Sequence, residues 1–544
     1  MTTSFDYNFT NSDSRNTCLL AAIDIGTNSI HMIVVEIDKT LLTFTIINRE
    51  KDAVRLGVRE AKTKKLTEEA IERAIASLKR CKDLAISMKV DHIVAIATSA
   101  TREAPNGQDF IQRVALEVGI QVDLISGYEE ARRIYLGVLS GMNFQTQPHI
   151  IIDIGGGSTE IILADVHEPR FLSSIKVGAV RLTEELITTD PVGETEFTTL
   201  QAYIRGMLER PIDELRRKLG NNEQPQLVGT SGTIETLVAI NALQKLGEVP
   251  SRLQGHQIGL KEVKDLVKKF ASMTYKERLK VSGMPYKRAE IIVAGGVILM
   301  EAMAMLTLDN IIVCERALRE GMIVDWMLTH KLIEDRLCYQ GKVRHRSVYN
   351  IAGKYQVNIE HGERVAQFTQ SLFKQLKGIF HNWGIEEWEL LWTATILHKC
   401  GLYVSHSAYH KHSYYLIRNA ELLGFTELEL ETIANVARYH RKSIPKKKHE
   451  PYSKLSDTHK KIVRQLSLIL RLAVALNSRQ IEAVKTVECK YDKEGKKLYL
   501  HLFPTDPNDD CALELWNLNY HKLVFENEFG VKVVATLNSI SVSQ

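Results

Sequence analysis

Two short stretches of this sequence set bare backbone beside carboxylates: "AAIDIGTNS", with Asp24 ahead of Gly26, and "IIDIGGGSTE", with Asp153 ahead of Gly155, Gly156 and Gly157 and Glu160 behind. Where a strand ends in Asp-x-Gly and turns back, backbone N–H groups stand clear of side chains and can cradle phosphate oxygens. Carboxylates placed there suit Mg2+, a hard cation usually held by one or two carboxylates, substrate phosphates and water. Asp153 is the first candidate ligand and Asp24 the second. One such turn alone equally suits a tight hairpin whose aspartates only form the turn. The pattern is duplicated, and a third glycine-hydroxyl turn, "LVGTSGT", lies at Gly229 to Thr233. Together the three turns point to phosphate binding. Their spacing fits neither a P-loop nor a dinucleotide fingerprint in a βαβ setting.

The elements that must position these turns follow from periodicity. "LLAAIDIGTNSIHMIVVEI" reads as two buried strands around a break, and "HIIIDIG" with "TEIILADV" reads as a second glycine-broken pair. Between them a helical pattern (Leu66 to Met88), the strand "HIVAIATSA", a helix "QDFIQRVALEV", the strand "IQVDLIS" and a helix "EEARRIYLGVL" alternate, which is mixed α/β patterning. The internal repeat predicts two similar halves, 17–140 and 141–330, after a floppy lead-in at 1–16. "RAEIIVAGGVILMEAMAML" then reads as a buried helix, "NIIVCERAL" as a strand and "LREGMIVDWML" as a closing helix. Past a boundary near Cys338 to Ser347, long amphipathic helices and histidines dominate 340–480. The tail 481–544, including "KLYLHLF" and "HKLVFENEFGVKVVATL", reads as a small β-rich domain of α+β class.

Composition is that of an ordinary globular protein: 544 residues, 44% hydrophobic and 25% charged, with no run of about 18 apolar residues that would span a membrane. The polar N-terminus does not read as a secretory signal. Seven scattered cysteines form no CxxC pair, which suits reduced thiols in a cytoplasm. A net charge of +4 is too slight to argue for nucleic acid as a partner, although "RYHRKSIPKKKH" concentrates Arg441, Lys442 and Lys446 in an acid-free run.

"AAIDIGTNSIHMIV", "ATSATREAPNG", "LISGYEEARRIYLGV", "IIDIGGGSTEII", "LVGTSGTIETL" and "ALREGM", in that order, resemble the exopolyphosphatase / guanosine pentaphosphate phosphohydrolase family of the actin-like ATPase superfamily. The resemblance implies that a terminal phosphate sits in a cleft between two actin-like subdomains, of ribonuclease H-like type, and is cut off by water. It implies Glu130 of "SGYEEAR" as catalytic base, with Glu129 its nearest decoy. It also implies phosphate contacts from Asn28, Ser29, Gly156, Gly157, Ser158, Gly232 and Thr233, Asp153 and Glu160 at the metal, and Arg102 as the residue that neutralises developing charge. A carboxylate at a helix start can take a proton from water while cation and amides hold the phosphate. Phosphoryl transfer rests mainly on such positioning. The favoured activity is Mg2+-dependent release of orthophosphate from inorganic polyphosphate, with guanosine pentaphosphate as the close rival. An actin-like ATPase or sugar kinase and a non-catalytic sensor are rivals from other classes. Family members are often homodimers.

"HKHSYYLIRNAELLGF" and "ARYHRK" resemble the long form of that family, whose helical domain is of HD-phosphohydrolase type. His361, His398, His412 and His440 invite a metal reading there. Where an HD hydrolase carries its signature His-Asp, this chain has "LHKCG", so Lys399 replaces a carboxylate and repels a cation. Asn477 replaces the closing aspartate. The expectation is an all-α, degenerate HD-type domain that extends the binding surface, with the basic run countering the charge of a long polyphosphate.

Overall fold

The computed structural model describes residues 16–144, 147–220, 222–250, 252–333, 343–420, 422–446 and 448–538. The expected lead-in and the expected boundary near Cys338 fall largely outside them. The chain divides into two compact units, Met1–Gly341 and Lys342–Gln544.

Unit one is built on two sheets that repeat one plan. Strands β1 (Thr17–Ile25), β2 (Ile30–Asp38) and β3 (Thr43–Asp52) form an antiparallel meander, and β4 (His92–Ala97) and β5 (Val122–Leu124) add in parallel, giving the order β3-β2-β1-β4-β5. The second sheet starts the same way, with β6 (His149–Ile154), β7 (Thr159–Ala164) and β8 (Pro169–Ile175). It continues with β9 (Gln226–Thr230), β10 (Gln257–Gly259) and β11 (Asn310–Val313), in the order β10-β11-β9-β6-β7-β8. β1 and β6 are central and flanked on both sides, which is why they are near-continuous apolar runs rather than alternating ones. In both hairpins the register sets the aspartate two residues short of the turn: Asp24 opposite His31, and Asp153 opposite Glu160. The repeat read in the sequence is thus a repeat in space.

Two helices cross at backbone contact. A Cβ placed on Gly137 of helix Gly127–Gly141 would lie 1.8 Å from the Ala317 carbonyl oxygen, and one on Gly321 of helix Leu318–Thr329 would lie 1.7 Å from that of Arg133. No side chain fits at either position. Leu318, Met322 and Ile323 thereby join the core of the first sheet with Leu20, Ile96 and Ile134. The closing helix of the second half thus packs on the first.

In unit two, helices Ile359–Leu376, Ile385–Leu397, Tyr409–Arg418, Glu427–Arg438 and Asp457–Leu476 surround one apolar core. The tail has strands and a helix. β12 (Val484–Asp492), β13 (Lys497–Pro504) and β14 (Lys532–Leu537) form a three-stranded sheet, but Ala512–Phe529 is a helix closed by Gly530 in the left-handed region. Its buried Glu514, Leu518 and Phe525 recur at helical spacing, not at the period of a strand. Leu498, Leu500 and Phe525 share the core of Leu372, Leu391 and Leu466, so the tail and the helices form one body rather than two domains.

Candidate active site

Helix Gly127–Gly141 starts at Ser126, whose Oγ accepts the Glu129 N–H, so both glutamates lie in the first turn. Successive helical residues point about 100° apart, and the two acids diverge. Glu129 is tied to Arg132 and Arg133 at 2.8 and 2.9 Å. Glu130 turns inward, is only 7% exposed, and accepts from Arg102 Nη1 at 3.2 Å. The same Nη1 donates to the Ile125 carbonyl at 2.8 Å, which fixes the guanidinium.

Glu130 faces an open cleft between the two sheets' turns. The first turn is closed by Gly26 N–H to Ser29 O at 3.1 Å and the second by Gly155 N–H to Ser158 O at 2.9 Å. A Cβ on Gly157 would meet Ser99 Oγ at 2.6 Å and Thr27 Oγ1 at 2.8 Å, so the glycine lets the two turns close on one another. At the third turn Ser231 sits at φ 91°, and a Cβ on Gly232 would fall 2.1 Å from Arg288 Nη2.

Asp24, Asn28, Ser29, Glu130, Asp153, Gly156, Gly157, Ser158, Glu160 and Gly232 all line this cleft. Two residues expected at the phosphate do not. The Thr233 side chain is fully buried, and a Cβ on Gly295 would meet its Cγ2 at 2.6 Å. Arg102 reaches the cleft only through Glu130. Arg441, Lys442 and Lys446 belong to the other unit. Sequence reasoning missed His31, Lys51, Arg288 and Arg319, which also line the cleft. Arg319 stood inside the motif "ALREGM", and His31 is the hairpin partner of Asp24. Lys51 and Arg288 had no local signal.

Four carboxylates line the cleft, Glu130, Asp153 and Glu160 buried and Asp24 half-buried. Burial first, and then the Glu160 charge, push Glu130 well above the usual carboxylate range against the pull of Arg102. Burial and Asp153 push Glu160 up to about 7, although Ser174 Oγ donates to it at 2.7 Å. Burial lifts Asp24 to about 6 against the attraction of Arg319. Asp153 is also raised by burial and is eased by the Thr230 hydroxyl at 2.6 Å. Lys51 and Arg288 face them, both lowered by burial. Burial and Arg319 hold His31 neutral, down at about 2, with Nε2 2.7 Å from Ser29 Oγ.

This donor set fits a hard cation: it is all oxygen, and Asp24 Oδ1 is buried with no hydrogen-bond partner. Among the described residues no three carboxylate, imidazole or thiolate groups converge to hold an ion by themselves.

Residues 33–330 match the model of the Ppx/GppA phosphatase family, and residues 343–522 match that of Ppx/GppA phosphatase domain III. A guanosine-5'-triphosphate,3'-diphosphate pyrophosphatase of Vibrio vulnificus (strain YJ016) is 30% identical over 90% of this chain and 93% of its own. An exopolyphosphatase from Cytophaga hutchinsonii ATCC 33406 superimposes at a TM-score of 0.53 and 28% identity, covering 58% of this chain and 99% of that one. The Aquifex aeolicus member of the Ppx/GppA family does so at 0.50 and 28%, with 58% and 99% coverage.

Proposed function

Since the chain belongs to the Ppx/GppA phosphatases, hydrolases of phosphoanhydride bonds with an actin-like pair of subdomains, we propose that it releases orthophosphate from the end of inorganic polyphosphate. One observation carries the substrate choice. Among the described residues, the cleft is lined by glycine backbone, hydroxyls, carboxylates, cations and His31 with a few aliphatic side chains, and by no Phe, Tyr or Trp on which a nucleobase could stack. A repeating phosphate asks only for donors and counter-charge.

In this reading the N–H groups of the turns at Asn28–Ser29, Gly156–Ser158 and Gly232 receive the terminal phosphate oxygens, and Arg288, Arg319 and Lys51 neutralise the chain. Glu130 accepts a proton from the attacking water, oriented by the Arg102 bond to its Oε2. Asp153, Asp24 and Glu160 are the residues that would hold Mg2+, which when bound supplies charge stabilisation at the phosphoryl oxygens. The unit beyond residue 342 is, in the same reading, a degenerate HD-type domain.

The likeness of nearly the whole chain to the Vibrio pyrophosphatase favours a second reading, hydrolysis of the 5'-terminal phosphate of guanosine pentaphosphate. Phosphate release measured with Mg2+ from long-chain polyphosphate, guanosine pentaphosphate and ATP separates the two. Polyphosphate is expected to be preferred. Preference for the nucleotide with no release from polyphosphate overturns the first reading, and preference for ATP overturns both.

A further inference from the structure

The glycine turn of the second hairpin is gripped from behind by residues that the cleft chemistry does not use. Helix Ala179–Leu186 opens against it. The Ala179 N–H donates to the Gly155 carbonyl at 2.9 Å, and those of Val180 and Arg181 donate to the Gly156 carbonyl at 3.0 and 3.1 Å. The Arg181 side chain continues the series, with Nε donating to the Gly157 carbonyl at 2.9 Å. A Cβ on Gly178 would lie 2.4 Å from the Gly156 carbonyl oxygen, so the chain leading into the helix lies directly on the turn.

These bonds decide which way the amides face. In a planar trans peptide the N–H points opposite to the carbonyl. With the carbonyls of Gly155, Gly156 and Gly157 held toward the helix, the N–H groups of Gly156, Gly157 and Ser158 turn the other way, and all these residues line the cleft. Among the described residues, none of those N–H groups donates to a protein acceptor. Successive free donors of this kind form a concave nest for an anion. The first two peptides are set by the backbone of a helix's first turn. The third, Gly157–Ser158, is set by one side chain.

That side chain is anchored on the other half of the fold. Arg181 Nη2 donates to Glu103 Oε2 at 2.8 Å, and Ser99 Oγ donates to Glu103 Oε1 at 2.9 Å. Glu103 follows β4 of the first sheet, whereas Arg181 and the turn belong to the second. The two side chains are only 21% and 14% exposed, so the pair keeps its geometry where an exposed one is loosened by water and salt. Lys176 reaches the same carboxylate at 3.6 Å, but from a 67% exposed position.

We infer that Arg181 is a positioning residue for phosphoryl transfer: it holds the Gly157–Ser158 peptide with its N–H aimed at the terminal phosphate, and through Glu103 it ties that aim to the first half of the fold. A guanidinium serves carbonyl and carboxylate at once through a fixed fork, which an ammonium lacks. The inference rests on the reading that this turn receives the terminal phosphate, and is indifferent to what lies beyond that phosphate. It is tested by kcat and KM for phosphate release with Mg2+ from whichever of inorganic tripolyphosphate and guanosine pentaphosphate the parent cleaves. A wrong substrate choice then shows in the parent, and a wrong role for Arg181 shows in the variants. A parent that cleaves neither overturns the functional reading and this inference together.

Arg181→Met is expected to lower kcat/KM at least ten-fold, and at most by the roughly 10³-fold that losing a preorganised donor costs, with KM raised. Loss of folded protein alone scales kcat and leaves KM in place. Glu103→Gln is expected to act in the same direction, and the double variant to be no worse than Arg181→Met, because both changes work through one peptide. Lys176→Ala removes the exposed cation from the same carboxylate and is expected to match the parent. Parental constants in Arg181→Met, an unmoved KM, additive effects in the double variant, or an equal loss in Lys176→Ala each overturns the inference. If Arg181→Met does not fold, Arg181→Lys decides on the same constants: a raised KM supports the fork, and parental values overturn it.

Discussion

Glu129 and Glu130 are adjacent, identical in type and both in the first turn of a helix, yet their surroundings separate them. Glu129 is held between two arginines at its ordinary task of pairing charge, while Glu130 is buried, raised and turned to the cleft. Glu130→Gln is expected to lower phosphate release by about 10²- to 10⁴-fold, the usual worth of a general base, while tripolyphosphate still binds. Glu129→Gln should leave most of the activity. If release survives the first change, water is activated by another group. The pH profile carries a second test. Because the ionised carboxylate is the working form and its folded value is raised, release should climb with pH through a limb above the ordinary carboxylate range. Arg102 pulls that value down, so Arg102→Ala should move the limb to higher pH as well as lower the rate. A limb that stays in place would show that Arg102 does not act through Glu130.

At the scale of elements, the crossing of helices Gly127–Gly141 and Leu318–Thr329 sets the site, since one carries Glu130 and the other begins beside Arg319. Gly321→Ala inserts a methyl where only 1.7 Å is available. It is expected to destabilise the fold by about 1–3 kcal/mol, as overpacking does, and to lower phosphate release beyond what stability explains by shifting Glu130. Denaturant unfolding with activity measured on the folded fraction checks this. Unchanged stability would mean that the helices part freely. The same contact shows why legibility was uneven. The hairpins, the buried strands and the turn at Gly155–Gly157 announce themselves by apolar runs broken at glycine, so Asp24, Asp153 and Glu160 could be placed from the sequence. Arg288 and Lys51 reach the cleft from a loop and a strand end far apart in the chain, and only tertiary packing brings them in. Helix Ala512–Phe529 escapes a strand-by-strand reading because "HKLVFENEF" has no clean alternation and its buried face shows only over three turns.

The whole molecule tolerates a cleft that opposes its own folding. Four carboxylates are withdrawn from water near one another. Of the ion pairs that tie the two halves together, Arg55–Glu290 is exposed and contributes at most about 1 kcal/mol. Glu160 states the cost most clearly. Its folded value, about 7, lies above its ordinary 4.5, so the folded chain binds the extra proton. The favourable contribution of that proton is complete below about pH 4.5 and is lost as pH rises through about 7. At pH 8 the ionised Glu160 therefore works against folding, by on the order of 1–3 kcal/mol, because each tenfold change in proton affinity is worth about 1.4 kcal/mol. Glu160→Gln removes the charge and keeps the shape. It is expected to be more stable than the parent at pH 8, with the difference closing as pH falls through 7 toward 4.5, and to have lost most of its phosphate release. Urea unfolding of both proteins at pH 8 and pH 4.5, beside the activity assay, measures the two effects together. A variant no more stable than its parent at pH 8 would mean that the buried charge is already compensated, and that the cleft is not held in reserve for a cation and a phosphate.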